Sequence, residues 1–143
     1  MPRPAVQRDA DEPLLALRIV TLPRDTNPYG TIFGGVILSF IDQAGFVEAS
    51  RHGRHRWVTA VMDRVEFVAP VLVGDIVSFL TRTVRTGTTS VTVEVAVDAE
   101  RRDSGASVRV TEATLVMVAV GADGHPIPFA APSTIGARGE GAG

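Results

Sequence analysis

The sequence predicts an α+β fold in which a mostly antiparallel, five-stranded sheet wraps around one long central helix. Two observations lead to this prediction. Residues 34–51 would be apolar around most of the circumference if wound as a helix. One β-like run precedes this segment and four follow it, and the short turns between those four favour antiparallel pairing. The layout suits the single domain that a chain of 143 residues predicts.

The elements follow one another in a simple order. The first strand is predicted at residues 14–22, and turn-forming residues make 23–31 a loop. The helix comes next, and because it is apolar on nearly every side we expect it to be buried. Valines alternate with polar residues at 90–100, which indicates a strand with one dry face and one wet face. The four later strands are predicted at residues 57–68, 75–85, 90–100 and 107–120.

The ends of the chain differ from its body. Residues 1–12 and 130–143 have little apolar periodicity, so we expect disordered tails on either side of a domain that spans 13–129. Apolar residues make up 45% of the chain and charged residues 21%, as in ordinary globular domains. We recognise neither a secretory signal nor a run long and apolar enough to span a membrane, and we expect a cytoplasmic protein.

Composition argues against several functional classes. Cysteine is absent, which excludes a disulfide framework, a thiolate nucleophile and a cysteine zinc site. The net charge is −2 and all 14 basic residues are arginines spread along the chain, so nucleic-acid binding has little support. The last strand is apolar on both faces near its end, and one helix with five short strands cannot cover that much apolar surface. We therefore infer a homo-oligomer, joined at sheet edges or across paired helices.

Asp42 stands out in the predicted helix, because its neighbours on the helix surface are Leu38, Gly45, Phe46 and Ala49. An unpaired carboxylate in such surroundings is costly or has its pKa raised, so a residue of this kind is either paired or functional. Two interpretations are open. Asp42 is a catalytic carboxylate, or it is a structural residue that binds backbone amides of a neighbouring chain.

The segment before Asp42 adds two features to the catalytic interpretation. Gly34 and Gly35 leave the first amides of the helix uncovered, and a helix N-terminus offers free N–H groups with about half a positive charge. A developing oxyanion would be stabilised there, although the glycines would also serve a tight loop-to-helix entry. Asn27 carries an amide that can hold a water or polarise a carbonyl, although asparagine is also a common turn residue.

The spacing of these groups predicts where a complete site lies. Gly35 and Asp42 are seven residues apart, which separates their backbones by about 10 Å along a helix axis. A base, a water and a carbonyl must lie within steps of about 3 Å of one another. One carbonyl therefore does not easily reach both groups of one chain. We predict a site at a dimer interface, in which Asn27 and Gly35 of one subunit face Asp42 of the other.

The same residues carry a resemblance to a known family. Two segments resemble the signature of the YciA-type acyl-CoA thioesterases of the hot-dog superfamily: DTNPYGTIFGG at 25–35 and IDQAG at 41–45. The turn VGD at 73–75 and the hairpin RTGTTS at 85–90 also match that family. The resemblance spans residues 18–128 and implies the hot-dog fold, which is the arrangement predicted above.

The resemblance implies hydrolysis of acyl-CoA to a free acid and CoA, with Asn27 and Asp42 as the catalytic pair at the dimer interface. Asp42 would act as general base on a water, or would attack the carbonyl itself to form a mixed anhydride, and both routes stay open. The Gly35 N–H would polarise the thioester carbonyl, and Asn27 would position the water or the carboxylate. The minimal active unit would be a homodimer, and family members commonly assemble as trimers of dimers.

Further residues are expected to bind the substrate. They are Gly34, Thr59, Arg85, Thr88, Thr89 and Ser90. The last four belong to a hairpin that lies near CoA in resembling proteins, and its cation and hydroxyls suit phosphate binding, with Arg82 as a further cation. Without the resemblance this hairpin would pass as an ordinary solvated turn. No cofactor or metal is expected, since CoA enters only as part of the substrate and product.

Other polar residues have a plainer interpretation. Asp63 falls on the predicted inward face of its strand, where a salt bridge or a backbone contact is expected. Glu48 projects toward the apolar arc of the helix, but it lies in the last helical turn, where solvent access explains it. His52 and His55 are three residues apart among arginines, and we expect ordinary surface histidines rather than metal ligands.

Two other functions compete with that of a thioesterase. A hot-dog hydratase or dehydratase generally pairs a carboxylate with a histidine, and no histidine lies between residues 1 and 51, which counts against it. A non-catalytic regulator that binds acyl-CoA would not need Asp42, and it would not usually carry the whole pattern from Asn27 to Asp42. The sequence therefore predicts an acyl-CoA thioesterase.

Overall fold

The computed structural model describes residues 12–135, and its elements follow the predicted order. They are β1 (Leu14–Val20), a short 3-10 helix (Pro23–Asp25), α1 (Gly34–Ser50), β2 (Arg56–Phe67), β3 (Ile76–Thr86), β4 (Ser90–Glu100) and β5 (Ser107–Val120). The predicted α+β class with one long helix and five strands is confirmed. No helix within residues 12–135 is both long and apolar enough to cross a membrane.

The predicted tails lie largely outside the described residues, which begin at residue 12 and end at residue 135. Residues 130–135, which fall in the predicted C-terminal tail, are among those described, and the Thr134 N–H donates to the Arg54 carbonyl at 3.0 Å. This contact ties the segment to the turn between α1 and β2. The boundaries of the domain stay a prediction.

The five strands form one antiparallel sheet in the order β1-β3-β4-β5-β2. The two hairpins β3-β4 and β4-β5 join neighbours in the chain, as short turns require. β1 and β2 lie at the two edges, so each has one side without a partner strand in the single chain. A free edge of this kind is a template for pairing with another chain.

The core lies between α1 and one face of the sheet. The predicted dry face of β4 is confirmed, because its four inward valines are fully buried: Val91, Val93, Val95 and Val97. Gly45 brings α1 close to β5, since a Cβ at that position would lie 3.0 Å from Leu115 Cδ2 and 3.5 Å from Met117 Sδ. The absence of a side chain at Gly45 therefore lets the helix pack closely on β5.

The expectation that α1 is buried on nearly every side is wrong for the single chain. Ile37, Ile41 and Ala44 face the sheet and are at most 1% exposed. Asp42 is exposed on the other side, and Phe46 is 47% exposed. The physical reason is that one sheet covers only one side of a helix, so the other apolar side stays open unless a second chain covers it.

The edge strand β2 is irregular and largely exposed. Its pairing with β5 shifts twice, between Thr59 and Val61 and between Asp63 and Glu66, and Arg64 has a φ of 52°. These irregularities break the alternation that placed Asp63 on the inward face. Asp63 is in fact exposed, and its Oδ1 accepts the Arg64 N–H at 2.8 Å.

Candidate active site

Asp42 lies on the exposed side of α1, where it meets the side chain of Thr59 from β2. The Thr59 hydroxyl donates to Asp42 Oδ1 and lies 3.4 Å from Met117 Sδ. Asp42 is therefore not the buried carboxylate that its apolar neighbours in the helix indicated. It is an exposed carboxylate with one oxygen already bonded, and within residues 12–135 its other oxygen accepts no hydrogen bond.

A cavity of about 500 Å³ opens beside this pair. Its lining is mostly apolar, and the polar side chains are at the Asp42 end. The lining residues are Leu17, Asp42, Gln43, Phe46, Val47, Trp57, Val58, Thr59 and Met117. An apolar cavity with a few convergent polar groups is the usual form of a small-molecule site.

The N-terminus of α1 is open, as the two glycines predicted. Phe33 occupies the N-cap position without a side-chain cap, and its carbonyl accepts the N–H groups of Val36 and Ile37 at 3.1 and 3.5 Å. The N–H groups of Gly34 and Gly35 have no acceptor within the part of the chain that the structure describes. They are thus available to an oxygen atom of a ligand.

The two glycines differ in their surroundings. A Cβ at Gly35 would meet nothing within 4 Å, so a substrate can approach this backbone freely. A Cβ at Gly34 would lie 3.2 Å from Phe67 Cζ, which makes Gly34 also a packing residue. Gly34 and Phe67 line a second cavity of about 350 Å³, which does not include Asp42.

Asn27 organises the loop that leads into α1. Its Oδ1 accepts the N–H groups of Tyr29 and Thr31 at 2.9 and 3.1 Å, and its Nδ2 donates to Thr31 Oγ1 at 2.8 Å. The turn role that the sequence left open is therefore real. An amide nitrogen carries two N–H groups, and only one of those of Asn27 has an acceptor among the described residues.

The structure brings Asp42 together with Thr59, but it does not bring Asn27 or Gly35 of the same chain to Asp42. The seven-residue interval from Gly35 to Asp42 is helical throughout, which fixes an axial separation of about 10 Å. Gly34, the residue before Gly35, lines the second cavity, whereas Asp42 lines the first. Within one chain the two candidate half-sites, one with the amide donors and one with the carboxylate, therefore lie apart.

The β3-β4 hairpin lies at the same end of the sheet as Thr59. Ser90 pairs with Val118 of β5, whose partner on the other side is Val58, so two inter-strand steps of about 5 Å separate Ser90 from Val58. The Thr88 carbonyl accepts the Phe129 N–H at 3.1 Å, and the Thr89 carbonyl accepts the Ala119 N–H at 2.9 Å. The hairpin tip is thereby held in place.

The two arginines of this hairpin are not equivalent. Arg82 pairs with Glu94 at 3.3 Å, so its charge is already balanced. Arg85 is exposed and has no carboxylate partner within the described chain. Of the two cations suggested by the sequence, Arg85 is the one free to meet a phosphate.

Glu48, which was expected to be at the solvent, is instead buried at 6% exposure. Thr81 Oγ1 donates to its Oε1 at 2.9 Å, Thr83 Oγ1 donates to its Oε2 at 2.8 Å, and Arg51 forms an ion pair with it. Burial acts to raise the pKa of Glu48, but the hydrogen bonds from Thr83 and Thr81 and the charge of Arg51 outweigh it and lower the pKa. The sequence feature that could have indicated a buried Glu48 is the pair of threonines, Thr81 and Thr83, at inward positions of β3.

The two central histidines also differ from expectation. His55 is 1% exposed, and its Nε2–H donates to the Phe129 carbonyl at 2.9 Å while Nδ1 lies 3.0 Å from Thr134 Oγ1. His52 Nε2 lies 2.8 Å from Thr83 Oγ1. Neither lines the Asp42 cavity, and no group of three metal-ligating side chains occurs in residues 12–135. No histidine lines the cavity beside Asp42, so within residues 12–135 Asp42 has no histidine partner there.

A five-stranded antiparallel sheet around one helix is the hot-dog arrangement, and here free amides lie at the helix start and a carboxylate lies further along the helix. A family model described as the thioesterase superfamily matches residues 29–106. The acyl-CoA thioester hydrolase YciA of Salmonella typhimurium is 38% identical over 118 residues, which cover 80% of this chain and 89% of that protein.

Solved structures agree with this. A hexameric hotdog-fold thioesterase of Campylobacter jejuni is 47% identical, with a TM-score of 0.77 and coverage of 85% of this chain and 92% of that one. An acyl-CoA hydrolase of Staphylococcus aureus, solved with butyryl-CoA, CoA and CoA disulfide, is 28% identical, with a TM-score of 0.72 and coverage of 78% and 68%. The chain belongs to the thioesterase superfamily, among its acyl-CoA thioester hydrolases.

Proposed function

We propose that this enzyme hydrolyses acyl-CoA at a site shared by two subunits of a homodimer. Asn27 and the Gly35 N–H of one subunit hold the thioester carbonyl, and Asp42 and Thr59 of the other activate the water. The observation that carries this proposal is the separation of the two half-sites within one chain. Each half lacks what the other offers, and a two-fold axis would complete two sites at once.

The exposed apolar surface supports a dimer that joins along this side of the molecule. Four large side chains around the free edge of β2 and the open side of α1 are about half exposed: Phe46 at 47%, Val58 at 45%, Val61 at 48% and Phe67 at 53%. Monomeric proteins rarely leave so many apolar side chains uncovered in one region. Since the Campylobacter relative is a hexamer, we extend the proposal to a trimer of dimers. The cytoplasmic location belongs to the same proposal.

The chemistry follows from the groups at each half-site. The Gly35 N–H and the helix N-terminus stabilise negative charge on the carbonyl oxygen while the free oxygen of Asp42 takes a proton from water. The water oxygen bonds to the carbonyl carbon and forms a tetrahedral oxyanion. The carbon–sulfur bond then breaks, the thiolate takes the proton from Asp42, and the acid and CoA leave. The Thr59 hydroxyl donates to Asp42 Oδ1 and holds the carboxylate in position.

The CoA moiety is proposed to lie along the β3-β4 hairpin. Arg85 is the free cation there, and the hydroxyls of Thr88, Thr89 and Ser90 are further donors to phosphate oxygens. The Staphylococcus aureus relative binds CoA, and in this chain the hairpin lies near the Asp42 cavity. The Gly34 N–H is a second donor beside that of Gly35.

Subunit mixing tests the shared site directly. Asp42→Asn removes the base, and Asn27→Asp keeps the loop acceptor while removing the N–H donors. Each variant alone is expected to lose roughly 100-fold or more in kcat with acyl-CoA, measured by thiol release. Co-refolded or co-expressed mixtures should regain roughly a quarter of wild-type activity, because half of the dimers are hybrids with one intact site.

Two outcomes would count against the proposal. Full activity in Asp42→Asn would remove Asp42 from the chemistry. No recovery in hybrids whose composition is verified by mass spectrometry would place both residues in one chain's site. A single turnover in ¹⁸O water tests for attack by Asp42, because water that opens the mixed anhydride at the aspartyl carbonyl leaves the label in the protein, whereas a general base puts it in the acid.

A further inference from the structure

The cavity beside Asp42 has a polar end and an apolar end. Asp42 and Thr59 form the polar end, and residues further toward the C-terminus of α1 and the start of β2 form the rest. Phe46 lies one helical turn beyond Asp42, about 6 Å along the axis. A thioester carbonyl held at the polar end would therefore direct its acyl chain along an apolar channel away from the base.

Trp57 is a further residue of the cavity wall. It is on the same face of β2 as Thr59 and two residues before it, which places the two backbones about 7 Å apart. Trp57 is 5% exposed and is one of the residues that line the cavity. The channel therefore runs only a short way from the base before it meets the largest side chain in the wall.

The indole of Trp57 is held from several sides. Its Nε1–H donates to the Gly53 carbonyl at 3.0 Å, and its ring packs against Phe129 and His55 with centroid distances of 6.1 Å in each case. His55 is itself held by the Phe129 carbonyl at 2.9 Å. These contacts keep the ring from swinging aside, so Trp57 is a fixed wall, whereas the flexible Met117 side chain would adapt.

We propose that Trp57 closes the acyl pocket and sets the upper limit of acyl chain length, so that the enzyme prefers short and medium acyl groups. This rests on the proposed function, since it takes Asp42 as the base at the other end of the pocket. An acyl chain that extends beyond Trp57 must displace the indole ring. That ring is held in place by its hydrogen bond and by aromatic packing. Selectivity per methylene in such a pocket is roughly 10- to 200-fold in kcat/KM.

The test is a series of kcat/KM values from acetyl-CoA to palmitoyl-CoA for wild type and Trp57→Leu. We expect the optimum of the variant to move to longer chains by roughly two carbons or more, with kcat/KM for chains beyond the wild-type limit rising at least 10-fold. Short substrates should change little, because the polar end of the cavity is untouched. Trp57→Phe, which keeps a smaller ring, should give an intermediate limit and serves as the second variant if Trp57→Leu does not fold.

Phe79→Leu is the matched control, because Phe79 is a fully buried aromatic residue that packs on Phe40 and does not line the cavity. It should leave the optimum where it is in wild type. A uniform loss across all chain lengths in folded Trp57→Leu and Trp57→Phe would overturn the proposal, and so would a shift of the same size in Phe79→Leu. Adding Asp42→Asn to wild type and to each Trp57 variant distinguishes failure of the Trp57 proposal from failure of the proposed function. Activity that survives Asp42→Asn refutes the proposed function, whatever the Trp57 variants show.

Discussion

Replacing Glu48 by glutamine tests the buried network that joins the end of α1 to β3. The glutamine has the same shape, but it loses the charge and offers only one acceptor oxygen. One of the hydrogen bonds from Thr81 and Thr83, at 2.9 and 2.8 Å, therefore loses its carboxylate acceptor. A hydrogen bond to a charged group contributes about 1.5–3 kcal/mol, and an unsatisfied buried hydroxyl costs a similar amount. In the variant, the Arg51 side chain, which is already 33% exposed, turns to solvent, so the lost ion pair adds little. We therefore expect a loss of about 2 kcal/mol in unfolding free energy.

The pH dependence has a definite sign. The pKa of Glu48 is lowered in the folded protein, so its charged form stabilises the fold above the ordinary pKa of a glutamate. That contribution is lost as the pH falls through the lowered pKa. The gap between wild type and Glu48→Gln should therefore be full near neutral pH and shrink below about pH 4.

Urea unfolding followed by the fluorescence of Trp57, the only tryptophan of the chain, measures these differences at a fixed protein concentration. Thr83→Val and the double variant complete a mutant cycle, whose coupling energy we expect to be about 1 kcal/mol. Ser50→Ala is a matched control on the exposed side of the same helical turn. A loss below about 0.5 kcal/mol at neutral pH, or a gap that widens on acidification, would refute the reasoning.

Two further predictions concern the active site and the packing of α1. Thr59→Val removes the hydroxyl that holds Asp42 and should lower kcat by roughly 10- to 100-fold, with rescue by Thr59→Ser; a change confined to KM would instead make Thr59 a binding residue. Gly45→Ala puts a Cβ 3.0 Å from Leu115 Cδ2, and overpacking should exceed the gain in helix propensity, for a net loss of about 1 kcal/mol in thermal unfolding experiments. Gly35→Ala, whose Cβ meets nothing within 4 Å, should leave stability nearly unchanged.

Much of the fold could be predicted because its signals are local. The valines of β4 alternate with polar residues, and that period of two describes a strand with one covered face whatever lies around it. The helix begins at Gly34, where the turn-rich loop ends, as predicted. The separation of Gly35 and Asp42 is likewise a property of helix geometry alone, so the prediction of two half-sites follows from the seven-residue interval between them.

The covering of each face could not be predicted, because it depends on elements distant in the chain. An apolar helix surface indicates that something covers it, but not whether that is the same chain or another one. Asp42 was therefore expected to be buried, although only the opposite side of α1 meets the sheet. The prediction for Asp63 was wrong for a different reason, since the bulge between Thr59 and Val61 shifts the alternation before Asp63 and the sequence carries no clear signal for it.

Glu48 and His55 show a third kind of error, in which a polar residue was judged by its own neighbours in sequence. The partners of Glu48 are threonines on β3, more than thirty residues away. The partner of His55 is the Phe129 carbonyl, in the segment that follows β5. Buried polar groups need such partners, and long-range pairs of this kind become visible only once the strands are in register.

The exposure of Asp42 in one chain is consistent with the two-chain site rather than an objection to it. A solvated carboxylate is stable by itself, and covering it would cost several kcal/mol without compensation. The same surface, however, holds Phe46, Val58 and Phe67 about half exposed, and completing their burial contributes roughly 1 kcal/mol for each side chain in each subunit. In the proposed dimer, apolar burial would offset the desolvation of Asp42 while it brings Asn27 and Gly35 of the second subunit to the carboxylate. Under this proposal, assembly and catalytic competence would be one event.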